Sequence, residues 1–339
     1  MRLAHIMAGA PAGGAELFFE RLVAAQHDAG EAVLPLIRRD TGRATRLAAA
    51  GLAPAQFRFG GALDLLTRPG LRAALRRFAP RVAVAWMSRA ARMAPRGAWV
   101  LAGRLGGYYD LRYYRRCDHL IGNTRGIADW IAAQGWPAAR VHHLPNFAPD
   151  MAGAAPAALP VPPGAPIVLA LGRLHRNKAF DVLVRALPSL PGVHAVIAGD
   201  GPERTALLAL AAQEGVADRL HLLGWRTDQA ALLAACTVLA CPSRNEPLGN
   251  VVLEAFSAAR PVVAADAAGP VELIEHGVTG LLVPREHPRR LSDALGAILS
   301  DPALSACLAA AGRACFLAEH QAAPVLRRWR DALALMEKA

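Results

Sequence analysis

The stretch SRNEPLGNVVLEAF, residues 243–256, carries one acid before and one acid after a Pro-Leu-Gly-Asn turn. It follows the short apolar run TVLAC and passes into a helical pattern, so we expect a strand, a loop and then a helix. Glu246 lies in the predicted loop, and Glu254 lies about one turn inside the predicted helix. Both carboxylates can therefore face one ligand from different heights.

The same alternation of short apolar runs and helical patterns continues along the chain, which is typical of doubly wound α/β sheets. In the first half the predicted strands are RLAHIM, AVLPLI, VAVAWM, WVLAG and HLIG, with helices such as residues 16–29 and 126–134 between them. In the second half they are IVLAL, AVIAG, LHLLG, TVLAC, PVVAA and GLLVP. Open parallel sheets bind ligands at the carboxyl ends of their strands, so the loops that follow these strands are the informative ones.

The length of 339 residues suggests two domains. Residues 149–165 are rich in Pro, Gly and Ala and lack periodicity, which predicts an interdomain linker. We therefore expect a first domain over residues 1–148 and a second over residues 166–320. Residues 321–339 show an amphipathic helical pattern.

The composition, with 54% hydrophobic and 19% charged residues, excludes a disordered chain. No apolar run approaches the roughly 20 residues that span a bilayer. The N-terminus lacks the long apolar region of a signal peptide, so we expect a soluble cytoplasmic protein. The five cysteines are scattered without CxxC spacing, which predicts buried thiols in a reducing compartment and neither a disulfide framework nor a zinc site.

The net charge of +11 is unevenly distributed, because the first 150 residues hold 21 arginines and only 10 acids. Such a surface attracts phosphorylated partners or anionic lipid headgroups. The alternative is an ordinary solvated face in a chain that contains only two lysines. The arginines form two runs: Arg68, Arg72, Arg76, Arg77 and Arg81, then Arg112, Arg115 and Arg116.

The loop after IVLAL places two cations, Arg173 and Lys178, at the carboxyl end of a strand and before a helix. Gly172 allows backbone to approach a ligand closely, and the N-terminus of a helix favours anions. This arrangement suits a diphosphate, although two basic residues in a loop can also be plain surface charges.

Two further loops carry candidate ligand contacts. Gly199 ends AVIAG and Gly201 follows it in a tight turn, with Pro202 expected to open a helix. A purely structural turn is the alternative. Trp225 follows LHLLG, where it could stack on a nucleotide base or pack in the core.

The turn in the opening stretch has its own chemistry. Leu248 and Gly249 lead into a helix expected to begin near Asn250, whose unpaired backbone N–H groups point at the strand edge. Carboxylates accept hydrogen bonds from hydroxyls and repel phosphates, so Glu246 and Glu254 suit sugar or ribose hydroxyls. The two acids could instead be the pair of a glycoside hydrolase, but the phosphate-type loop argues against that. A merely solvated Glu254 is disfavoured because it lies inside the apolar run VVLEAF.

The combination GRLHRNK, AGDGPE and EPLGNVVLEAFSAARPVVAADAAGPVELIEHGVTGLLVP resembles the retaining, nucleotide-sugar-dependent glycosyltransferases of family four. The resemblance is strong over about residues 165–285 and looser in the first half, where GAPAGGAELFFERL and HLPNF carry it. It implies that Arg173 and Lys178 neutralise the donor diphosphate, that Glu246 contacts the transferred sugar and that Glu254 binds the ribose. Gly13 and Gly14 match the glycine loop that faces the diphosphate and the acceptor.

The resemblance also implies the GT-B fold, in which two Rossmann-like domains face each other across a cleft and the C-terminal helix returns to the first domain. The expected donor is a nucleoside diphosphate sugar such as a UDP-sugar, used with retention and without a metal or other cofactor. The expected acceptor is a lipid-linked or lipopolysaccharide-type envelope glycan. We expect no nucleic-acid partner, but a peripheral contact of the Arg-rich domain with the anionic inner membrane.

Other functions remain open. A nucleotide-sugar epimerase can use the same fold, and a non-catalytic protein could bind the donor without turning it over. A Rossmann dehydrogenase is poorly supported, because GAPAGG does not match GxGxxG.

The sequence departs from the family pattern at one place. Many members carry a histidine after a first-domain strand, whereas this chain reads VAVAWMSRAARM, so Trp86, Ser88 or Arg89 is expected to line that position. No catalytic base is assigned. The remaining histidines are more readily explained as structural or surface groups, namely His119, His142, His143 and His175.

Overall fold

A computed structural model describes residues 1–10, 13–61 and 63–338 of the chain. The protein divides into two compact units, Met1–Phe147 with Ala322–Ala339, and Ala148–Gln321. Each unit is an α/β structure built on one parallel sheet, as the alternating pattern predicts.

The first unit contains a seven-stranded sheet in the order β3-β2-β1-β4-β5-β6-β7, and every neighbouring pair is parallel. The five predicted strands are confirmed. The three-residue strands β3 and β7 escaped prediction because they are only partly buried and carry no continuous apolar run. The strands are β1 Arg2–Met7, β2 Ala32–Arg38, β3 Ala55–Phe57, β4 Val82–Trp86, β5 Val100–Leu105, β6 His119–Gly122 and β7 Val141–His143.

The helices that connect these strands pack their apolar sides on the sheet. The helix predicted over residues 16–29 begins two residues earlier, and the one predicted over 126–134 begins one residue earlier. The helices are α1 Gly14–Asp28, α2 Thr41–Ala49, α3 Thr67–Phe78, α4 Met87–Met93 and α5 Arg125–Ala133.

The second unit contains a six-stranded parallel sheet in the order β10-β9-β8-β11-β12-β13. All six predicted strands are confirmed to within a residue. The inner strands are buried on both faces, which explains their continuous apolar sequences. The strands are β8 Ile167–Leu171, β9 His194–Ala198, β10 Leu220–Gly224, β11 Val238–Cys241, β12 Val262–Ala265 and β13 Leu281–Val283.

The helices of the second unit follow its strands in turn. The helix after β9 begins at Arg204, two residues later than the predicted start at Pro202. The helices are α6 Phe180–Ala186, α7 Arg204–Gln213, α8 Gln229–Ala235, α9 Asn250–Ser257, α10 Pro270–Leu273, α11 Pro288–Ser300 and α12 Pro302–Cys315, followed by a π-helical turn at Phe316–His320.

The final helix, α13 Ala322–Lys338, packs in the first unit against α1 and β4. Val325, Trp329, Leu333 and Met336 recur every three or four residues and are buried in the first-unit core. The indole of Trp329 lies nearly parallel to that of Trp86, with ring centroids 6.5 Å apart.

The Pro/Gly-rich segment over residues 149–165 contains no helix or strand. It lies against the second unit, because Leu159 and Val161 pack on that unit's core and Asp150 forms an ion pair with Arg313. The segment is therefore held to one unit along its length rather than running free.

Candidate functional site

The order of the second sheet reverses at β8, which lies between β9 and β11. The crevice outside the carboxyl ends of such neighbouring strands is the usual ligand site of an open α/β sheet. The loop that begins at Gly172 leaves β8 here, and the loop that contains Glu246 leaves β11 here. Backbone N–H groups of Arg244 and Asn245 donate to the carbonyl of Asn177, at 2.8 and 3.3 Å, so the two loops are joined directly.

The glycines Gly199 and Gly201 let a third loop lie against the first. A Cβ at Gly199 would lie 1.8 Å from the carbonyl oxygen of Gly172, and one at Gly201 would lie 2.4 Å from that of Leu174. The Leu174 N–H donates to the Asp200 carbonyl at 3.0 Å. The structural explanation of these two glycines therefore has direct support, because no larger residue fits where the loops cross.

Lys178 ends a short 3₁₀ turn, Arg176–Lys178, in the loop after β8. Its ammonium forms an ion pair with the Oε2 atom of Glu246, and both side chains are largely buried. The Oγ atom of Ser243 donates to the same Oε2 atom at 3.2 Å, and the Glu246 carbonyl accepts from the Gly269 N–H at 2.8 Å. The acid and the lysine that the sequence assigned to one ligand therefore lie in direct contact.

Burial alone would lower the pKa of Lys178, because it penalises the charged ammonium. The negative charge of Glu246 is the largest opposing effect. Together with Cys241, the hydrogen bond to Glu246 and the charge of Glu254, it outweighs burial and raises the pKa of Lys178. Lys178 is therefore cationic at neutral pH. Glu254 acts electrostatically on the same lysine, so we group Lys178 and the two glutamates as one charged cluster.

The helix α9 begins where the sequence predicted, at Asn250. Gly249 precedes it with φ +87°, a left-handed conformation that glycine adopts without strain. Leu248 is buried, and a Cβ at Gly269 would lie 2.3 Å from its backbone, so the turn is held against the loop after β12. Glu254 is half-buried one turn further along α9.

Two other candidate residues lie in more open positions. Arg173 is exposed and forms no ion pair with any residue in the described part of the chain, so its charge is available to a ligand. Trp225 is 58% exposed at the end of β10, which is the edge strand of the sheet. The alternative in which Trp225 packs in the core is therefore wrong.

In the first unit Gly13 precedes α1, and Gly14 is its first residue. The carboxylate of Glu16 lies against this loop, where it accepts a hydrogen bond from the Ala10 N–H at 2.8 Å. A Cβ at Gly13 would lie 2.3 Å from Glu16 Oε2, and one at Gly9 would lie 2.2 Å from Oε1. The glycines thus make room for a buried acid that the sequence reasoning missed. Glu16 is the third residue of α1, a position typical of an acid that hydrogen-bonds back to the backbone before the helix.

The expectation that Trp86 lines the position of the family histidine is wrong. Trp86 is fully buried, its Nε1–H donates to His5 Nδ1 at 3.1 Å, and the guanidinium of Arg104 lies 4.4 Å from its ring centroid. Ser88 and Arg89, in contrast, line a cavity at the carboxyl end of β4.

The candidate histidines have local partners. His119 Nδ1 and His142 Nε2 lie 3.0 Å apart on adjacent strands, and burial lowers the pKa of both, to about 4 for His142. His175 is exposed, and its Nδ1 accepts from the Asn177 N–H at 3.2 Å. These contacts account for the three residues structurally.

The cysteines differ from expectation in one respect. Cys117, Cys236 and Cys241 are buried free thiols, and burial raises the pKa of each, to about 11 for Cys241. Cys307 is exposed and Cys315 is half-buried, so the prediction of five buried thiols is wrong for these two.

Within residues 1–10, 13–61 and 63–338, no group of three or more His, Cys, Asp or Glu side chains could hold a metal ion. Over the same residues no single helix is long and apolar enough to cross a membrane, although the bent pair Pro288–Ser300 and Pro302–Lys338 meets the length and composition criteria jointly.

Comparison with known proteins identifies the family to which a chain of this architecture belongs. The model of glycosyl transferases group 1 matches residues 165–301. The chain is 35% identical to the lipopolysaccharide core biosynthesis glycosyltransferase LpsE of Rhizobium meliloti, over 92% of this chain and 93% of that protein. It is 34% identical to LpsD of the same organism, over 92% of each. The chain therefore belongs to the group 1 glycosyltransferases.

The solved structures agree with the GT-B fold that the sequence predicted. The crystal structure of Anabaena Alr3699/HepE in complex with UDP-glucose superposes with a TM-score of 0.84, covering 98% of this chain and 99% of that one. The sequences are 22% identical, so the likeness concerns the fold.

Proposed function

We propose that this glycosyltransferase moves a hexose from a UDP-sugar to an acceptor glycan, with retention of anomeric configuration and without a metal ion. The observation that carries the proposal is the cluster of Lys178, Glu246 and Glu254 at the switch point of the second sheet. A diphosphate needs cations, and a sugar needs hydroxyl acceptors. This cluster supplies both within one network.

Each residue has a role that follows from its position. Arg173 and Lys178 stabilise the negative charge that develops on the leaving diphosphate, which is the task a metal ion performs in other enzymes. Glu246 accepts hydrogen bonds from the transferred sugar, and Glu254 accepts them from the ribose. The N–H groups at the start of α9 add a positive dipole end. The solved complex of HepE with UDP-glucose, on the same fold, supports this choice of donor.

The acceptor we propose is a lipopolysaccharide-type glycan of the envelope, reached from the cytoplasmic face of the inner membrane. The names of LpsE and LpsD support it. Three leucines before α3, namely Leu63, Leu65 and Leu66, are 95%, 81% and 69% exposed and adjoin the Arg-rich helix. Exposed apolar side chains beside a basic helix suit peripheral contact with an anionic membrane.

The donor site is tested with a panel of UDP-, GDP- and ADP-sugars, by transfer to glycan acceptors and by slow hydrolysis. Glu246→Ala and Lys178→Ala should abolish turnover of the preferred donor. Glu214→Ala, which removes an exposed ion pair with Arg185 in the same unit, should leave it unchanged. Full activity of the first two variants would refute the proposed site.

Three further readouts separate the finer claims. Conversion of the donor sugar without an acceptor would instead indicate an epimerase. The anomeric proton coupling of the product reports retention or inversion. Activity that survives exhaustive chelation supports a metal-independent reaction, and activity that returns only with added Mg²⁺ or Mn²⁺ would contradict it.

Membrane contact is tested by co-sedimentation with vesicles of phosphatidylglycerol and of phosphatidylcholine. We expect binding to the anionic vesicles, weakened in the double variant Leu65→Ser/Leu66→Ser. Leu335→Ser, which alters an exposed leucine of α13, is the matched control. Equal binding of the wild type, the double variant and the control would show that Leu65 and Leu66 do not contribute to membrane contact.

A further inference from the structure

A cavity of about 870 Å³ opens in the first unit at the carboxyl ends of β2, β3 and β4. Arg38 is the last residue of β2, Phe59 lies just beyond β3, and Ser88 and Arg89 belong to the first turn of α4. The order of this sheet reverses at β1, between β2 and β4. The cavity therefore occupies the position at which open α/β sheets bind ligands.

The wall of the cavity is strongly cationic. Four arginines line it, Arg38, Arg68, Arg89 and Arg92, against a single acid, Asp64. None of the four forms an ion pair with a residue in the described ranges, and the side chains of Arg38 and Arg89 make no hydrogen bond there either. A concave surface with unneutralised cations concentrates anions.

The one acid does not offset these charges by pairing with them. The Asp64 carboxylate accepts hydrogen bonds from the Thr67 hydroxyl at 2.6 Å, the Gly60 N–H at 2.6 Å and two more backbone N–H groups. The bond from the Thr67 hydroxyl, followed by the backbone donors, lowers the pKa of Asp64 to about 2. Asp64 therefore serves to fold the loop before α3.

Arg68 shows the strain of this arrangement most directly. Its Nη2 donates to the Arg92 carbonyl at 2.8 Å, while its Nε is buried without a hydrogen-bond acceptor among the described residues. Burial, and then the like charges of Arg116, Arg72 and Arg92, lower the pKa of Arg68. An anion in the cavity would relieve the repulsion between these like charges.

The backbone at the cavity is strained as well. Met87 has φ +60°, a left-handed conformation that is costly for a residue with a side chain. It lies between the end of β4 and Ser88, so it sets the direction in which Ser88 and Arg89 face the cavity. Strain of this kind persists where the surrounding structure needs a particular geometry, which is frequent at binding sites.

We propose that this cavity binds a phosphate or carboxylate group of the acceptor, so that the acceptor of this enzyme is an anionic glycan. The inference rests on the proposed function, because it takes the second substrate to be a glycan. Tyr113 and Met93, which also line the cavity, provide aromatic and apolar surface for sugar rings beside the charged group.

Binding is tested by calorimetry with a phosphorylated core oligosaccharide from lipopolysaccharide, compared with the same material after phosphatase treatment and after reduction of its carboxyl groups. Arg38→Gln/Arg89→Gln should weaken binding by about tenfold or more, since hydrogen bonds to charged groups are strong. Arg76→Gln/Arg77→Gln alters two exposed arginines of α3 outside the cavity and should bind like the wild type. Loss of binding after either treatment identifies the anionic group.

Kinetics provide the second readout. In the cavity variant the KM for the acceptor should rise at least about tenfold, while the KM for the donor and its slow hydrolysis stay unchanged. We expect the thermal unfolding of this variant to be unchanged, because neither substituted side chain has a partner to lose among the described residues. That result would exclude a folding defect as the cause of weaker binding. Equal weakening by the control pair would overturn the proposal.

Other outcomes are equally decisive. Undiminished binding of the oligosaccharide after both treatments would overturn an anionic acceptor. Binding to phosphatidylglycerol vesicles that the cavity variant loses, with no binding of the oligosaccharide, would overturn it in favour of a lipid surface. A wild type that transfers to no acceptor would contradict the proposed function, and calorimetry would still decide the cavity.

Discussion

Lys178 and Glu246, 68 residues apart in the sequence, form a largely buried ion pair between the loops after β8 and β11. The pair satisfies two charges that would be costly to bury separately. It also means that the lysine we assign to the diphosphate and the glutamate we assign to the sugar share a hydrogen bond before either meets a ligand.

The first prediction concerns this pair. Lys178→Ala should lower kcat/KM by at least about 100-fold, because it removes a preorganised cation from the leaving group. It should also lower the free energy of unfolding by about 1–3 kcal/mol, less than for a fully buried pair, because Glu246 keeps a donor in Ser243. Kinetics and urea denaturation measure the two effects.

Lys178→Arg is the informative companion variant, since it keeps the charge but replaces a point cation with a planar fork. We expect it to recover most of the stability and only part of the activity. Complete recovery of both would show that charge alone matters at this position.

A second prediction concerns pH. Because the pKa of Lys178 is raised above its ordinary value of 10.5, the stabilisation from the pair is fully present below 10.5 and is lost as the pH rises through the folded-state value. The difference in unfolding free energy between the wild type and Lys178→Met should therefore stay constant from about pH 7 to about pH 9.5. A difference that already declines in that interval would mean that burial outweighs Glu246 and lowers the pKa.

The fold could be predicted from the sequence where strands are buried on both faces. IVLAL and AVIAG read as strands because a parallel sheet covered by helices demands continuous apolar runs. The strands β3 and β7 could not be read in this way, because edge strands of three half-buried residues leave no periodic signal.

The candidate site was predictable for the same reason that the fold was. Once β8 and β11 are neighbours in a parallel sheet, residues just past their ends must meet, so Lys178 and Glu246 converge. The cavity in the first unit depends instead on α3, α4 and a folded loop, whose side-chain directions no strand pattern encodes. Glu16 likewise became visible only with the loop geometry around Gly13.

A third prediction tests the loop crossing in the second unit. Gly199→Ala would place a methyl group 1.8 Å from the Gly172 carbonyl oxygen, so the loops after β8 and β9 must separate. We expect a loss of about 1–3 kcal/mol in the free energy of unfolding, as for other overpacked sites, and weaker donor binding in the same variant. Calorimetric titration with the preferred UDP-sugar measures the binding.

Gly296→Ala is the matched control for that substitution. Gly296 lies inside α11, where the added methyl group would meet only Leu190 Cδ2 at 3.7 Å, an ordinary contact. Alanine should therefore raise stability by up to about 1 kcal/mol through helix propensity, with donor binding unchanged. If both alanines had the same effect, backbone flexibility rather than the loop contact would explain the glycines.

The last prediction concerns how α13 is held in the first unit. Trp329 is fully buried and lies parallel to Trp86, which in turn touches His5 and Arg104. Trp329→Ala should cost about 3–5 kcal/mol by opening a large cavity in this core. Leu335→Ala, on the exposed side of the same helix, should change stability by less than about 0.5 kcal/mol. Tryptophan fluorescence during denaturation reports mainly the first unit, which holds five of the six tryptophans. A small loss for Trp329→Ala would show that α13 contributes little to its core.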